Sequence, residues 1–357
     1  MVSPCRWPEA HPQGGLNLIE DEKSKSVVGE ILKSMGRKIL EGKFNDIMRI
    51  SRPACISYPM TYLQAASRDF SYCRFLTQAA IEPDPIIRLQ LICSFIISGL
   101  HINPTEFKNK PPLNPILGET HTAELSDGTK IWLEQTCHHP PITHWYMTGP
   151  NDLYVFHGHG QIIAGLAGPN TIKAGKQGKH MIRFNNGDIV EYTAPNMKIS
   201  GLVLGQRNVN FHGTFRVTDV KNKIVAIFTF EEDPGVLNSI KGKLAGFLGA
   251  KKQIPSDFFN VKICMVNEDG DTQKDICEGF GSWLEYLKFG DRVYWSIDMK
   301  PEENWVVSLD HLPSDSIYRE DLQQLKQDNE NQAQIEKDRL ENIQRRDKTL
   351  RAQNPGQ

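Results

Sequence analysis

Between about His121 and Asp310 the chain repeats one pattern: short apolar runs, each closed by a cluster of turn-forming residues. Val261, Ile263 and Met265 alternate with Asn260, Lys262 and Cys264, and Val293, Trp295 and Ile297 alternate with Arg292, Tyr294 and Ser296. That two-residue period belongs to strands with one polar face. The run from Ile224 to Phe230 is almost unbroken in apolar residues, which suits a strand covered on both sides. Ser126-Asp127-Gly128, Gly149 to Asp152, Asn185 to Asp188 and Asn267 to Asp271 supply the turns. Short strands between close turns imply antiparallel pairing. Without strand–helix alternation, so many strands in one run favour a barrel over a small open sheet.

The sequence on either side has a different period. From Tyr58 to Leu100 the apolar residues recur at helical spacing, and Ile86 to Leu100 reads as a core helix. It carries Arg88 and Gln90 and falls short of the roughly 20 residues that span a bilayer. Val27, Val28, Ile31, Leu32, Met35, Ile39 and Leu40 give residues 22–40 an amphipathic helical face. Residues 1–20, rich in Pro and Gly, are expected to form a loose leader, and they lack the apolar stretch of a signal peptide. From Ser314 the chain turns polar and charged, as in a solvated helical segment. Residues 319–336 hold 2 basic and 5 acidic side chains, whereas 337–357 hold 6 and 3, so the positive end lies at the C-terminus.

Overall, 41 basic residues face 43 acidic ones, a formal net charge of −2. No global field draws such a chain to nucleic acid or to an anionic membrane, so any membrane attraction must be local. Lys241, Lys243, Lys251 and Lys252, flanking Leu244, Phe247 and Leu248, form one such local patch. The seven cysteines are scattered without zinc-site spacing and read as reduced thiols of a cytosolic protein.

Within the strand-rich region, Glu134-Gln135-Thr136-Cys137-His138-His139-Pro140-Pro141 is a combination that no ordinary core element requires. The prolines bias the backbone toward an extended form. Neighbouring side chains then leave on opposite faces, which makes His138 and His139 a poor pair for one metal ion; a larger anion such as phosphate could reach both. Near the C-terminus, Lys337, Glu341 and Arg345 are spaced four apart on one helical face, with Lys348 close to the same line. Glu341 precedes Arg345 in the favourable order for holding it, and the two cations can clamp a phosphate. Pro115 and Gly118 read as a rigid turn entering a strand. Asp257-Phe258-Phe259-Asn260 resembles a receptor-docking diphenylalanine motif only faintly, because it lacks an acidic flank.

Six of the eight residues of the His-His-Pro-Pro stretch match the fingerprint of the oxysterol-binding-protein-related family, which has Val and Ser where this chain has Thr136 and Cys137. Asn114-Pro115-Ile116-Leu117-Gly118-Glu119-Thr120 and the Lys337, Glu341, Arg345 spacing match further segments in the right order, and the likeness runs from about Glu22 to Arg351. The resemblance implies an α+β lipid-binding domain. Its parts would be a lid at about 22–41, helices at 42–105, an incomplete antiparallel β-barrel at 115–310 and a C-terminal helical segment at 314–351. It also implies a short member, without the upstream domains of longer relatives. By the same resemblance, sterol and phosphatidylinositol 4-phosphate exchange through one cavity, with transient contact to membrane surfaces, no nucleic acid, no cofactor and no metal. His138, His139, Lys337, Glu341, Arg345 and Asn114 would hold the headgroup. Relatives carry a headgroup lysine three positions before the Asn; here that position is Pro111, with Lys110 beside it and Lys108 further back. Phosphatidylserine is an alternative to sterol. In other classes, a hydrolase using His138 or His139 as base, or a membrane-sensing scaffold, remains open.

Overall fold

The structure is a computed structural model describing residues 5–18, 51–107, 110–168, 170–202, 204–230, 254–305 and 311–353. The amphipathic segment 22–40, the lysine patch at 241–252 and Lys108 lie outside the described residues.

The helices are α1 (Tyr62–Arg68), α2 (Arg74–Ile81), α3 (Pro85–Gly99), α4 (Ile102–Phe107), α5 (Glu320–Lys326) and α6 (Glu330–Gln353). The strands begin with β1 (Leu16–Asn17), β2 (Tyr58–Thr61), β3 (Pro112–Leu113), β4 (Thr120–Leu125), β5 (Lys130–His138) and β6 (Pro141–Thr148). They continue with β7 (Tyr154–Leu166), β8 (Thr171–Gln177), β9 (His180–Phe184), β10 (Ile189–Tyr192), β11 (Asn196–Ser200) and β12 (Asn208–Asp219). The last are β13 (Ile224–Phe230), β14 (Phe258–Val266), β15 (Thr272–Ser282), β16 (Tyr286–Phe289), β17 (Arg292–Ser296) and β18 (Asn304–Trp305).

Sixteen of these strands form one antiparallel sheet running from β17 through β12, β7 and β5 to β18, while β2 and β3 make a separate parallel pair. The sheet curls without joining its ends, so the barrel is incomplete. Its middle is a meander of long strands. β7 pairs with β9 over Tyr154–Gly158 and with β8 over Gln161–Leu166 in one continuous register, so β8 and β9 act as a single interrupted strand. β12 pairs with β11 over Asn208–His212 and with β10 over Val217–Asp219. Since β9 pairs with β10 and β8 with β11, the interrupted strands β8–β9 and β10–β11 lie side by side between β7 and β12.

Local chemistry sets the elements. Thr61 and Gln64 form a capping box at the start of α1. Asp84 accepts hydrogen bonds from the Ile86 and Ile87 amides at 2.7 and 3.3 Å, with Pro85 at the first position of α3. That helix is buried along most of its length and packs on β12, β13, β16 and β17, the core role its sequence suggests. Its buried Arg88 pairs with Asp188 at 2.7 Å and faces Asp219 at 3.7 Å. In β13, Ile224, Ala226, Phe228 and Phe230 join the main core, while Val225 packs with Cys264 and Val266 on the other face.

Four details differ from the sequence reading. Residues 58–61 form a short strand ahead of the helices. β14 keeps its register with β13 to its end, but Cys264 is buried on the outer face against Val225 and Val266 while Met265 is 46% exposed, the reverse of the expected burial. A register shift between β16 and β17 at Leu287–Lys288 leaves Val293 exposed and Tyr294 buried. Residues 5–18, expected to be loose, are fastened down. Arg6 makes a two-pronged ion pair with the fully buried Asp257 at 2.7 and 2.9 Å, Gly15 donates its amide to the same carboxylate at 3.1 Å, and Leu16 is buried on β12. A charged anchor far along the chain is invisible to local composition. Phe258 and Phe259 are buried within β14, so the diphenylalanine resemblance has no docking surface.

Asp257→Ala removes the acceptor shared by Arg6, Gly15 and Ser282. It should cost about 3 kcal/mol in urea unfolding, and residues 5–18 should become cleavable under limited proteolysis.

Candidate functional site

A cavity of about 540 Å³ lies between the curved sheet, from β6 to β12, and helices α1, α3 and α4, within the range of small-ligand sites. Its wall is mostly apolar, including Phe70, Trp145, Ile162, Met197 and Phe211. Polar groups are few. Lys176 pairs with Asp69 at 2.6 Å, and Asn103 donates to the same carboxylate at 2.6 Å. Burial opposes the Lys176 charge, yet Asp69 and Tyr62 raise its pKa above the ordinary value. His180, also on the wall, is buried with neither ring nitrogen hydrogen-bonded to a described residue, as is the Trp145 indole N–H. Burial drives the His180 pKa down to about 3, so it is neutral.

Of the residues that the sequence singled out, only Lys110 lines the cavity; His138, His139, Lys337, Glu341 and Arg345 gather beside it, joined through Ser51 to the lining Arg52, and make up its rim. His138 ends β5 and Pro141 begins β6, so His138-His139-Pro140-Pro141 is the tip of a hairpin, with a cis His139–Pro140 bond. The expectation that the two imidazoles leave on opposite faces fails here. The chain reverses at this point, and the rings meet with centroids 4.6 Å apart. Burial, and then the charge of His139, lowers the pKa of His138, which also feels Glu341 and Lys348 of α6. Its Nδ1 is buried without a hydrogen-bond partner among the described residues.

On α6, Lys337 is buried, with its ammonium on Glu341 and on the Ser51 hydroxyl at 2.5 Å. Ser51 also donates to Glu341 at 2.9 Å. Arg345 stays exposed and reaches Glu341 only at 3.5 Å, so the two cations are not alike: one is fixed, the other free to swing. Lys110 lines the cavity, and its amide caps the end of α4 on Phe107 at 2.8 Å. Asn114 accepts a hydrogen bond from Arg52 at 2.7 Å. Through Ser51 and Arg52, adjacent in the chain, the Lys337 cluster is joined to Asn114. Sequence reading overlooked Arg52, since a lone arginine before Pro53 carries no pattern.

Burying the segment around Asn114 fixes this rim. Gly118 adopts φ +80° in the turn that leads into β4, a backbone form glycine adopts without penalty. Glu119 accepts from Arg319 at 2.7 Å and from Ser316 at 2.7 Å, and Arg319 also donates to the Asn114 carbonyl at 2.7 Å. Ala54, Leu113, Leu322, Leu325 and Ala333 pack into one cluster beneath.

A curved antiparallel sheet that encloses an apolar cavity with a cationic, histidine-bearing rim defines a class of ligand-holding partial barrels. The sequence profile described as Oxysterol-binding protein matches residues 34–357, and the chain belongs to that family. Oxysterol-binding protein 9 of Dictyostelium discoideum is 31% identical over 359 residues, spanning 96% of this chain and 80% of that protein. Oxysterol-binding protein-related protein 8 of Mus musculus is 29% identical over 234 residues, which is 62% of this chain but only 25% of that longer protein. Among solved structures, the Osh3 ORD of Saccharomyces cerevisiae in complex with PI(4)P aligns with a TM-score of 0.72 at 20% identity, covering 98% of this chain and 88% of that one. The Osh1 ORD domain in complex with cholesterol gives 0.70 at 19%, covering 98% and 84%. These likenesses carry the partial-barrel fold.

Burial also lowers the His101 pKa, to about 4. Because His101 and His180 titrate below the ordinary 6.5 when folded, the unfolded chain binds protons first on acidification. Their contribution is whole above about pH 6.5 and declines toward pH 4 and 3. Moving from pH 7 to pH 5 should cost about 2 kcal/mol per histidine in urea unfolding, with a smaller loss in His101→Phe.

Proposed function

We propose that the protein is a lipid-transfer protein that exchanges sterol and phosphatidylinositol 4-phosphate through the apolar cavity, working from the cytoplasm and touching membranes transiently. The observation that carries this reading is the division of the site. Apolar walls take hydrocarbon without directional demands, while His138, His139, Lys337 and Arg345 stand at the rim for a phosphorylated headgroup. Support also comes from the solved relatives, which hold PI(4)P in one case and cholesterol or ergosterol in others.

The rim supplies the difference between the two lipids. A sterol needs only the apolar wall and a few polar groups, so it can occupy the cavity with the cations still engaged by Glu341. A phosphate competes with Glu341 for Lys337 and Arg345 and adds charge-assisted hydrogen bonds from the imidazoles. Asn114 contributes an amide and Lys110 a further cation on the cavity side. One cavity with two mutually exclusive occupants makes exchange, rather than simultaneous carriage, the expected behaviour.

Native mass spectrometry after incubation with liposomes holding phosphatidylinositol 4-phosphate, sterol and phosphatidylserine tests this. The wild type should carry one lipid at a time, and the His138→Ala, His139→Ala double variant should lose at least tenfold in phosphoinositide capture while keeping sterol. Phosphatidylserine in place of sterol would change the second ligand. Lipid returned cleaved would favour the hydrolase reading, and no lipid at all would refute transfer.

The lowered His138 pKa gives a second expectation. The lipid-free imidazole is neutral near pH 7, and a bound phosphate raises its pKa, so binding takes up a proton. Phosphoinositide affinity should therefore rise as pH falls from 8 to 6 in liposome titrations; a flat profile would count against imidazolium contacts.

A further inference from the structure

Arg52 is an unusual side chain for its place. Its guanidinium lines the cavity beside Lys110, and among the described residues it has no carboxylate partner. Both of its hydrogen bonds use Nη2, to the Pro112 carbonyl at 3.1 Å and to Asn114 Oδ1 at 2.7 Å, leaving Nη1 and Nε without a described acceptor. The other deeply placed arginines are compensated: Arg88 by Asp188, and Arg319 by Glu119 and Asp321. Burial pushes the Arg52 pKa down to about 10, so it keeps its charge at neutral pH with no carboxylate among the described residues to offset it. A half-buried cation of this kind lowers its own free energy by meeting an anion.

Its position says which anion. Ser51, the preceding residue, bonds Lys337 and Glu341, so the backbone holds Arg52 between the rim cations and the apolar cavity. Only a ligand with its charge at the rim and its hydrocarbon inside reaches both.

We propose that Arg52 is a specificity-determining residue, donating Nη1 and Nε to a phosphate oxygen of an anionic lipid headgroup while Asn114 and the Pro112 carbonyl fix its orientation. The inference rests on the phosphoinositide reading above. It makes the lipid's phosphate the missing partner of a cation already in place, and it explains why the Asn114 side chain is turned to Arg52. Sterol, which brings no charge, is indifferent to this residue.

The test compares wild type, Arg52→Gln and Arg52→Lys by native mass spectrometry with liposomes containing either phosphatidylinositol 4-phosphate or sterol. Arg52→Gln should lose at least tenfold in phosphoinositide capture with sterol capture within twofold of wild type, the scale of one lost charge-assisted hydrogen bond. Arg52→Lys, which keeps the charge but loses the fork, should lose about three- to fivefold in phosphoinositide capture with sterol capture unchanged. Phosphoinositide capture by Arg52→Gln equal to wild type overturns the inference and leaves the transfer reading standing. Equal loss of both lipids in both variants assigns Arg52 a purely structural role and overturns it as well. If Arg52→Gln does not fold, Arg52→Lys decides: a loss confined to phosphoinositide upholds the inference, and capture of both lipids at the wild-type level, or equal loss of both, rejects it. A wild type that captures sterol but no phosphoinositide ends both readings together.

Discussion

Arg319 holds the site in one piece. Its guanidinium is buried between Glu119, Asp321 and the Asn114 carbonyl, and although burial works against the charge, the two carboxylates hold its pKa well above the ordinary value. Two segments far apart in sequence converge there: the stretch from Asn114 to Glu119 that feeds β4, and the start of the C-terminal helices. Removing such a cation would leave two buried carboxylates unpaired, a loss that charge pairing at a surface never approaches. The rim owes its geometry to this junction, because α6 carries Lys337 and Arg345 and is seated through α5 on the same cluster as Leu113.

From that junction the charges grade outward. Arg319 is fully committed to protein partners, Lys337 is buried but engaged by one carboxylate and one hydroxyl, and Arg345 is solvent-facing with a single long contact. Structure is held by the first, and the remaining cations are progressively freer to be taken by something else. The polar groups inside the cavity follow the opposite logic, with Lys176 closed by Asp69 and His180 kept neutral. Charge is thus satisfied around Lys176 deep in the cavity and left available toward Arg52 and the rim.

Much of this was legible in the chain. The switch of hydrophobic period near residue 110 marks where helices give way to the sheet, and the Gly- and Asn-rich clusters fall at hairpin turns such as 126–129 and 185–188. The His138-His139 pair and the Lys337, Glu341, Arg345 spacing also surfaced, since both depend on neighbours in sequence. What stayed hidden depends on distant partners. Asp257 fastens Arg6 across more than two hundred residues, Arg52 has meaning only beside the cavity, and the packed outer face at Cys264 and the shift between β16 and β17 overturn an alternation that looked regular. The meeting of the two imidazoles was missed for a related reason: each proline was read alone as favouring an extended chain, whereas the antiparallel return of β6 onto β5 decides the geometry.

The unbroken ladder from β6 to β12 behind the cavity has a kinetic meaning. Its inner strands have neighbours along both edges, and admitting a bulky guest through them would require several ladder hydrogen bonds to rupture together. Among the described residues, the other side of the cavity is bounded by Leu18, by α1, α3 and α4, and by Lys110, Pro111 and Pro112, where side chains and short connections rather than a ladder form the boundary. Passage through that side is cheaper in broken hydrogen bonds. Substitutions there can therefore retune how long a guest stays while leaving the sheet, and with it the cavity's shape, alone.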